Sequence, residues 1–334
     1  MVAMVAGERN IQKTFSMSVT DSADSHDPVA PTGDEIVRCV LEGQPVRIVA
    51  ATTTAAVREA AGRHEAGPTA TLALSRGFTA GLLLATLTKD DERVTLQILG
   101  DGPLGGVTVD ATAAGTARAY VKHPGIGLEL PEGARRPSLA GPIGRNGLVN
   151  VIRDVGLGSP FSGQIAIASG EIDEDVERYL ETSEQVVSAL ACDALFGPNG
   201  RLDFAAGLLV QALPGGEGAA LVDEARALLA GGELLRALGG ARRDGEGVIA
   251  AVLGDRLGKV RVLDRRPVAF DCPCSRARAG SSLALLGEGE LGAMILDDGK
   301  AEVTCNFCRA RYEFGEAELE IIRRETTKPS GPPS

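Results

Sequence analysis

Tryptophan is absent from this 334-residue chain, aromatic residues make up 3%, and only three histidines occur. With so few rings, the core must be aliphatic, built from the Val, Leu, Ile and Ala of a 44% hydrophobic composition. Basic residues are also in deficit: 34 Lys and Arg stand against 45 Asp and Glu, for a net charge of −11. That balance excludes broad nucleic-acid binding, which needs basic surface. No run approaches the roughly 18 apolar residues that read as a membrane span, so no membrane association is expected. The apolar start is broken by Gly7, Glu8 and Arg9 before a signal-peptide core can form, and a cytoplasmic location is expected.

Catalytic signals are missing too. Gly141, Gly144 and Gly147 recur every three residues, but no GxxxxGK[ST] accompanies them, so a P-loop is excluded. Ser183 has no histidine near it in sequence, and no nucleophile–base pair stands out. The acids Glu171, Asp173, Glu174 and Asp175 read as a helix start, where negative charge complements the dipole, rather than as paired catalytic carboxylates. The expectation is a protein that is not an enzyme.

The length suggests two or three domains. Residues 1–33 and 326–334 are rich in Ser, Thr, Pro and Asp without apolar period, and are expected to be disordered. Residues 34–216 read as an α/β core domain. Ile36–Leu41 and Val46–Ala50 alternate about Glu42-Gly43-Gln44 like a strand pair. Helices are expected over Thr52–Ala61, over the Leu/Ala-rich run Ala70–Thr88 and over Asp173–Thr182. Further strands are expected at 94–99, 107–110, 116–121, 147–153, 161–167 and 202–213. Because these strands come in hairpin-like pairs, the class is α+β with mainly antiparallel sheet. Residues 217–265 carry helical spacing interrupted at Gly231-Gly232 and Gly239-Gly240, which suggests a metastable helical linker. Residues 266–325 are too few for a dependable apolar core.

That last segment is where the cysteines gather. Four of the six stand as Cys272-Pro273-Cys274 and Cys305-Asn306-Phe307-Cys308, with thirty residues between the pairs. Thiolates are soft ligands, and two tight turns carrying two each suit a tetrahedral Cys₄ zinc site, one Zn²⁺ per chain. His26, His64 and His123 are all remote in sequence and offer no alternative ligand. Arg276, Arg278, Arg309 and Arg311 flank the pairs and favour thiolate. Such a site is either a constitutive zinc ribbon or a redox switch. The switch gains weight from the glycine-broken linker directly before it, which loss of metal would release. Cys39 and Cys192 each sit alone in an apolar run and read as buried core thiols.

On these residues the chain resembles the redox-regulated heat-shock chaperones of the 33 kDa chaperonin family, from Asp34 to about Ile322. The CxC and CxxC pairs carry the likeness, as do Leu96-Gln97-Ile98-Leu99-Gly100-Asp101-Gly102-Pro103-Leu104 and Gly170-Glu171-Ile172-Asp173-Glu174-Asp175 with Tyr179 and Ser183-Glu184-Gln185. The resemblance implies an ATP-independent holdase, zinc-bound and inactive when reduced. Under oxidative stress it implies disulfides Cys272–Cys274 and Cys305–Cys308, zinc release, linker unfolding, homodimer formation and capture of unfolding client proteins. Residues 1–33 extend beyond the family's usual start. Two other classes compete: a zinc-ribbon protein whose α/β domain binds a partner, and a thiol–disulfide oxidoreductase. The latter is disfavoured because the CxxC lies in no βαβ pattern.

Overall fold

The computed structural model describes residues 2–4, 33–89, 92–126, 136–156, 160–215, 217–240, 242–254 and 256–326. The described residues from 33 to Asp271 form one compact unit, and those from Cys272 onward, with strand β1 (Val2–Met4), form another.

The larger unit begins with β2 (Glu35–Leu41) and β3 (Val46–Thr52), the expected hairpin, with Ile36 opposite Ala51 and Val40 opposite Arg47. Helices α1 (Thr54–Arg63) and α2 (Pro68–Ala85) follow, then the antiparallel strands β4 (Arg93–Gly100), β5 (Val107–Thr112) and β6 (Thr116–Val121). A single turn, α3 (Ala140–Ile143), leads to the hairpin β7 (Gly147–Asp154) and β8 (Phe161–Ala166). Next come α4 (Ile172–Thr182), β9 (Ser188–Phe196) and β10 (Leu202–Ala212). Three helices, α5 (Ala219–Ala230), α6 (Glu233–Leu238) and α7 (Gly245–Leu253), precede β11 (Val260–Pro267) and the short β12 (Ala269–Phe270).

Two sheets result. One has the order β11-β2-β3-β10-β9 and is antiparallel throughout; the other has the order β12-β6-β5-β4-β7-β8 and is antiparallel except for the β12–β6 pair. Both pack on α2, which touches β9 and β10 of the first and β5 and β6 of the second. A helix without a polar face has to be buried, and α2, whose Thr, Ser and single Arg side chains form no such face, is buried from Thr69 to Ala85. Gly77 and Gly81, one turn apart, permit its close approach to β5. A Cβ on them would stand 2.8 Å from Val107 Cγ1 and 2.7 Å from Val109 Cγ1.

The segment 217–265 holds α5, α6 and α7 and, at its end, most of a strand. β11 pairs with β2, Val260 opposite Leu41, and so extends the first sheet. The helices run 12, 6 and 9 residues, lengths that do not persist in water alone. What maintains them is burial against the five-stranded sheet: Val222, Leu229, Leu238, Val252 and Leu253 join one apolar cluster with Val37, Ile48 and Leu208.

The smaller unit comprises α8 (Arg276–Ala284), α9 (Glu288–Asp297), β13 (Lys300–Cys305), β14 (Arg311–Gly315) and α10 (Glu316–Thr326). β13 and β14 form a hairpin, and β1 pairs antiparallel with β13, Val2 opposite Cys305. Of the stretch 1–33 read as disordered, only Val2–Met4 and Gly33 are among the described residues; of 326–334, only Thr326 is. The apolar core of this unit is small: Ala279, Leu283, Leu291, Val303, Phe314 and Leu319. Leu286, Ile295, Ala301, Tyr312 and Ile322 pack partly buried against them, and a core of this size rarely stabilises a unit this small by itself.

Candidate metal centre

The cysteines are placed by the two ends of the small unit's regular structure. Cys272 and Cys274 lie in the turn entering α8. Ser275 caps that helix by accepting from the Arg278 N–H at 3.3 Å, and the Arg278 guanidinium donates to the Pro273 carbonyl at 2.6 Å. The CxC turn is thus fixed from both sides, and Pro273 removes its φ freedom. Cys305 ends β13. The chain then turns through 306–309, with Arg309 N–H donating to Cys305 O at 2.9 Å and Cys305 N–H to Ala310 O at 2.9 Å. Arg309 takes φ +62 to close this knuckle. The turn brings Cys305 and Cys308 to one side, facing the CxC turn.

All four Sγ atoms lie within 4.8 Å of one another, and among the described residues this is the one group of three or more His, Cys, Asp or Glu ligand atoms so gathered. Across the two turns, Cys272 and Cys305 stand 3.7 Å apart and Cys274 and Cys308 3.1 Å. A sulfur tetrahedron around a metal at about 2.3 Å has edges of about 3.8 Å. The donor set therefore fits a tetrahedral, thiolate-bound ion with small adjustment. Cys308 is buried and the other three are half-buried. Tyr312 Oη donates to Cys274 Sγ at 3.2 Å, a second partner that orients the sulfur. Hydrogen bonding from Cys272 and Cys308 holds the Cys305 thiol well below its ordinary range. The same crowding pushes Cys308 upward, Cys272 and Cys305 first among the causes.

Two of the flanking arginines act structurally rather than on the sulfurs. Arg276 pairs with Glu318 at 2.7 Å and lies over the Phe314 ring at 4.7 Å, bracing α8 against α10 and β14. Arg278 serves the CxC turn as described. The solitary thiols behave as expected of core residues. Cys39 and Cys192 are both 0% exposed, and burial pushes Cys39 up to about 11 and Cys192 well above the usual range.

The acidic run does more than complement a dipole. Asp175 accepts from the N–H groups of Ala168, Ser169 and Gly170 at 2.9–3.0 Å, tying the preceding loop to α4. Glu171 binds Arg76 at 2.7 Å, and Asp173 binds Arg136 and the Cys192 N–H. Arg76 is 0% exposed inside α2 and also bonds Asp193 at 3.0 Å. The other resemblance-bearing run, 96–104, meets the α3 loop through backbone, Gly102 N–H to Ile143 O at 2.8 Å and Leu104 N–H to Pro142 O at 2.9 Å. Both runs are thus held by structural contacts within the larger unit.

Comparison with known proteins agrees with this geometry. The family described as Hsp33 protein matches residues 34–315. The 33 kDa chaperonin of Listeria monocytogenes is 35% identical over 292 residues, spanning 87% of this chain and 99% of the relative. Those of Halalkalibacterium halodurans and Bacillus subtilis are 37% and 36% identical over 294 and 295 residues. The crystal structure of the 33 kDa chaperonin of Thermotoga maritima superposes with a TM-score of 0.77 at 30% identity, covering 88% of this chain and 98% of that one. With the family matched over most of its length and these relatives covered nearly end to end, the chain belongs to the Hsp33 family.

Proposed function

We propose that this protein is a redox-controlled, ATP-independent holdase chaperone of the cytoplasm that captures unfolding proteins under oxidative stress. The observation that carries the reading is the convergence of Cys272, Cys274, Cys305 and Cys308 within 4.8 Å in a unit whose apolar core has only six fully buried residues. In the reduced chain the four thiolates hold one Zn²⁺, which supplies the cross-link that the small core lacks. Its identity as zinc is supported by the all-sulfur donor set and tetrahedral spacing.

Oxidation acts on the same sulfurs. Peroxide takes two electrons from each thiolate pair; one S–S bond forms per pair, and each peroxide takes up two protons from solvent and leaves as two waters. The pairs are Cys272–Cys274 and Cys305–Cys308. A sulfur bonded to sulfur at about 2.05 Å has no thiolate charge left for the ion, so disulfide formation and metal binding are mutually exclusive. The unit from Cys272 onward then loses its cross-link. The segment 217–265 has short helices held mainly by sheet burial, with ion pairs such as Arg226–Glu177 and Arg243–Asp203 beside it, and its release uncovers the apolar face of the five-stranded sheet for clients. Two oxidised chains associate through surface uncovered in this way. Support for a chaperone over an oxidoreductase comes from the family and from the absence of a βαβ setting for the CxxC.

The test is a paired assay on one zinc-loaded, reduced sample treated with peroxide at raised temperature. Zinc release is followed with a chromogenic chelator, and suppression of citrate synthase aggregation is followed alongside. Loss of one equivalent with appearance of holdase activity, both reversed by dithiothreitol, is the expected result. Retained zinc without activity would leave a constitutive ribbon.

A further inference from the structure

β13, the strand that ends in Cys305, has neighbours on both edges. β14 takes one, with Val303 opposite Tyr312 and Thr304 opposite Arg311. β1 takes the other, with Val2 opposite Cys305, Ala3 opposite Thr304 and Met4 opposite Val303. Among the described residues β13 is the only sheet partner of β1. The strand comes from Met1-Val2-Ala3-Met4-Val5-Ala6, an apolar run followed by Gly7, Glu8 and Arg9. The family match, residues 34–315, leaves this run out.

The register fixes which groups join the two strands. In an antiparallel ladder, successive residues of one strand turn their N–H and C=O to opposite neighbours. Cys305 spends both on the knuckle side: its N–H donates to Ala310 O and its carbonyl accepts from the Arg309 N–H, each at 2.9 Å. Thr304 therefore turns its N–H and carbonyl to β1, where Ala3 stands opposite. Ala3 and Thr304 are the hydrogen-bonded pair, and Val2 and Met4 turn their N–H groups away from β13. The residue held in this way precedes a sulfur of the metal site, at the strand end that has to move before Cys305 can leave the other three thiols. β13 and β14 alone would be a two-stranded ribbon with an open edge beside that sulfur, and a third strand steadies it.

We propose that Val2–Met4 is an intramolecular strap on the metal unit, a strand added to the outer edge of β13 that holds its Cys305 end in place and slows departure of the metal. The strap rests on the four-cysteine metal reading above. It gives the stretch before residue 34 a share in setting how readily the unit opens.

Proline substitutions in the reduced, zinc-loaded full-length protein test the register, because each removes one N–H and leaves the residues from 34 onward unchanged. Ala3→Pro removes the N–H that donates to Thr304. Met4→Pro removes one that faces away from β13, a position where an edge strand tolerates proline. Loss of a hydrogen-bonded backbone pair predicts that the Thr304 amide of Ala3→Pro exchanges about tenfold faster than in the parent, and that zinc passes to a chromogenic chelator about tenfold faster. Met4→Pro should stay within about twofold of the parent in both. Thr304 exchange as slow in Ala3→Pro as in the parent, or equal acceleration by both prolines, would overturn the strap. Faster exchange without faster zinc transfer would overturn its hold on the metal and leave a structural strand. Thr304 protection that rises with protein concentration would mean that the strand comes from a second copy, and would overturn the intramolecular assignment. Thr304 exchange can be read with or without metal, and neither readout involves oxidant or clients. Failure of the strap is therefore seen apart from failure of the redox-chaperone reading.

Discussion

Leu238→Ala separates a releasable linker from an ordinary piece of core. Leu238 is 0% exposed, and α6 buries only Leu234, Ala237 and Leu238. A helix of six residues has no stability of its own, so these three side chains fix its docking. Truncating a fully buried leucine costs about 2–5 kcal/mol; taking about 3, the constant for local undocking rises about a hundredfold. Native-state hydrogen exchange on reduced, zinc-loaded protein reads this directly. Amides of α5, α6 and α7 should exchange about a hundredfold faster, while those of β3 and β10 keep their protection. The same sample should suppress aggregation partially without oxidant, because part of the population already presents the sheet face. If protection falls equally in the helices and in β3 and β10, the linker belongs to one cooperative core and release is not a local event. If the helices open as predicted and no holdase activity appears, the client surface lies elsewhere.

Removal of zinc by a chelator under reducing conditions should abolish amide protection across 272–326 and leave α2 protected, since six apolar side chains do not sustain the smaller unit; intact protection in β13 and β14 after metal loss would contradict this. Cys272→Ser should weaken zinc binding and blunt peroxide activation, measured by zinc stoichiometry and aggregation assay; full stoichiometry would remove that sulfur from the site. Arg76→Met should destabilise the larger unit by about 3–5 kcal/mol, because Glu171 and Asp193 lose a buried partner; a loss under about 1 kcal/mol by urea unfolding would show that the carboxylates find others. Burial raises the Cys39 thiol from 9.0 to about 11, so the unfolded chain ionises first and stability from this group is lost as pH rises from about 9 to about 11. Cys39→Val should therefore show a shallower decline of the urea midpoint between pH 8.5 and 10.5 than the parent, and identical slopes would refute the buried-thiol linkage.

The parts of the fold that sequence reveals are those whose two faces differ. β2 and β3 alternate and are separated by a short polar turn, so both the strands and their pairing are legible. α2 is legible for the opposite reason, a long Leu/Ala-rich run with one charged residue, which a buried helix explains. β9 is not foreseen, because its first seven residues are all buried and an Ala-rich run without alternation reads equally as helix. β11 fails in the other direction. It is an edge strand with a mostly exposed pattern and the sequence Asp264-Arg265-Arg266, so it reads as a polar continuation of the helical linker until its pairing with β2 is seen.

The same distinction governs the sites. Ligand spacing is a local constraint, so Cys272, Cys274, Cys305 and Cys308 announce themselves in pairs, and only the meeting of the pairs needs the fold. The Arg76 network has no local mark beyond one arginine in an uncharged helix, since its partners lie 95 and 117 residues away. Reading Asp173 as a dipole-compensating acid is accordingly incomplete. Position on the helix explains why an acid is tolerated there, whereas its burial follows from Arg136 and the Cys192 N–H, both brought by other elements. Among the linker's attachments to the rest of the larger unit, two differ in kind. An apolar one through Leu238 and its neighbours sets how much the docked state is favoured. A polar one through Arg226 on Glu177 and the Ser188 carbonyl sets where α5 sits. Weakening the first should change how often the linker opens. Weakening the second, a partly exposed set of ion pairs worth about 1 kcal/mol, should change it far less.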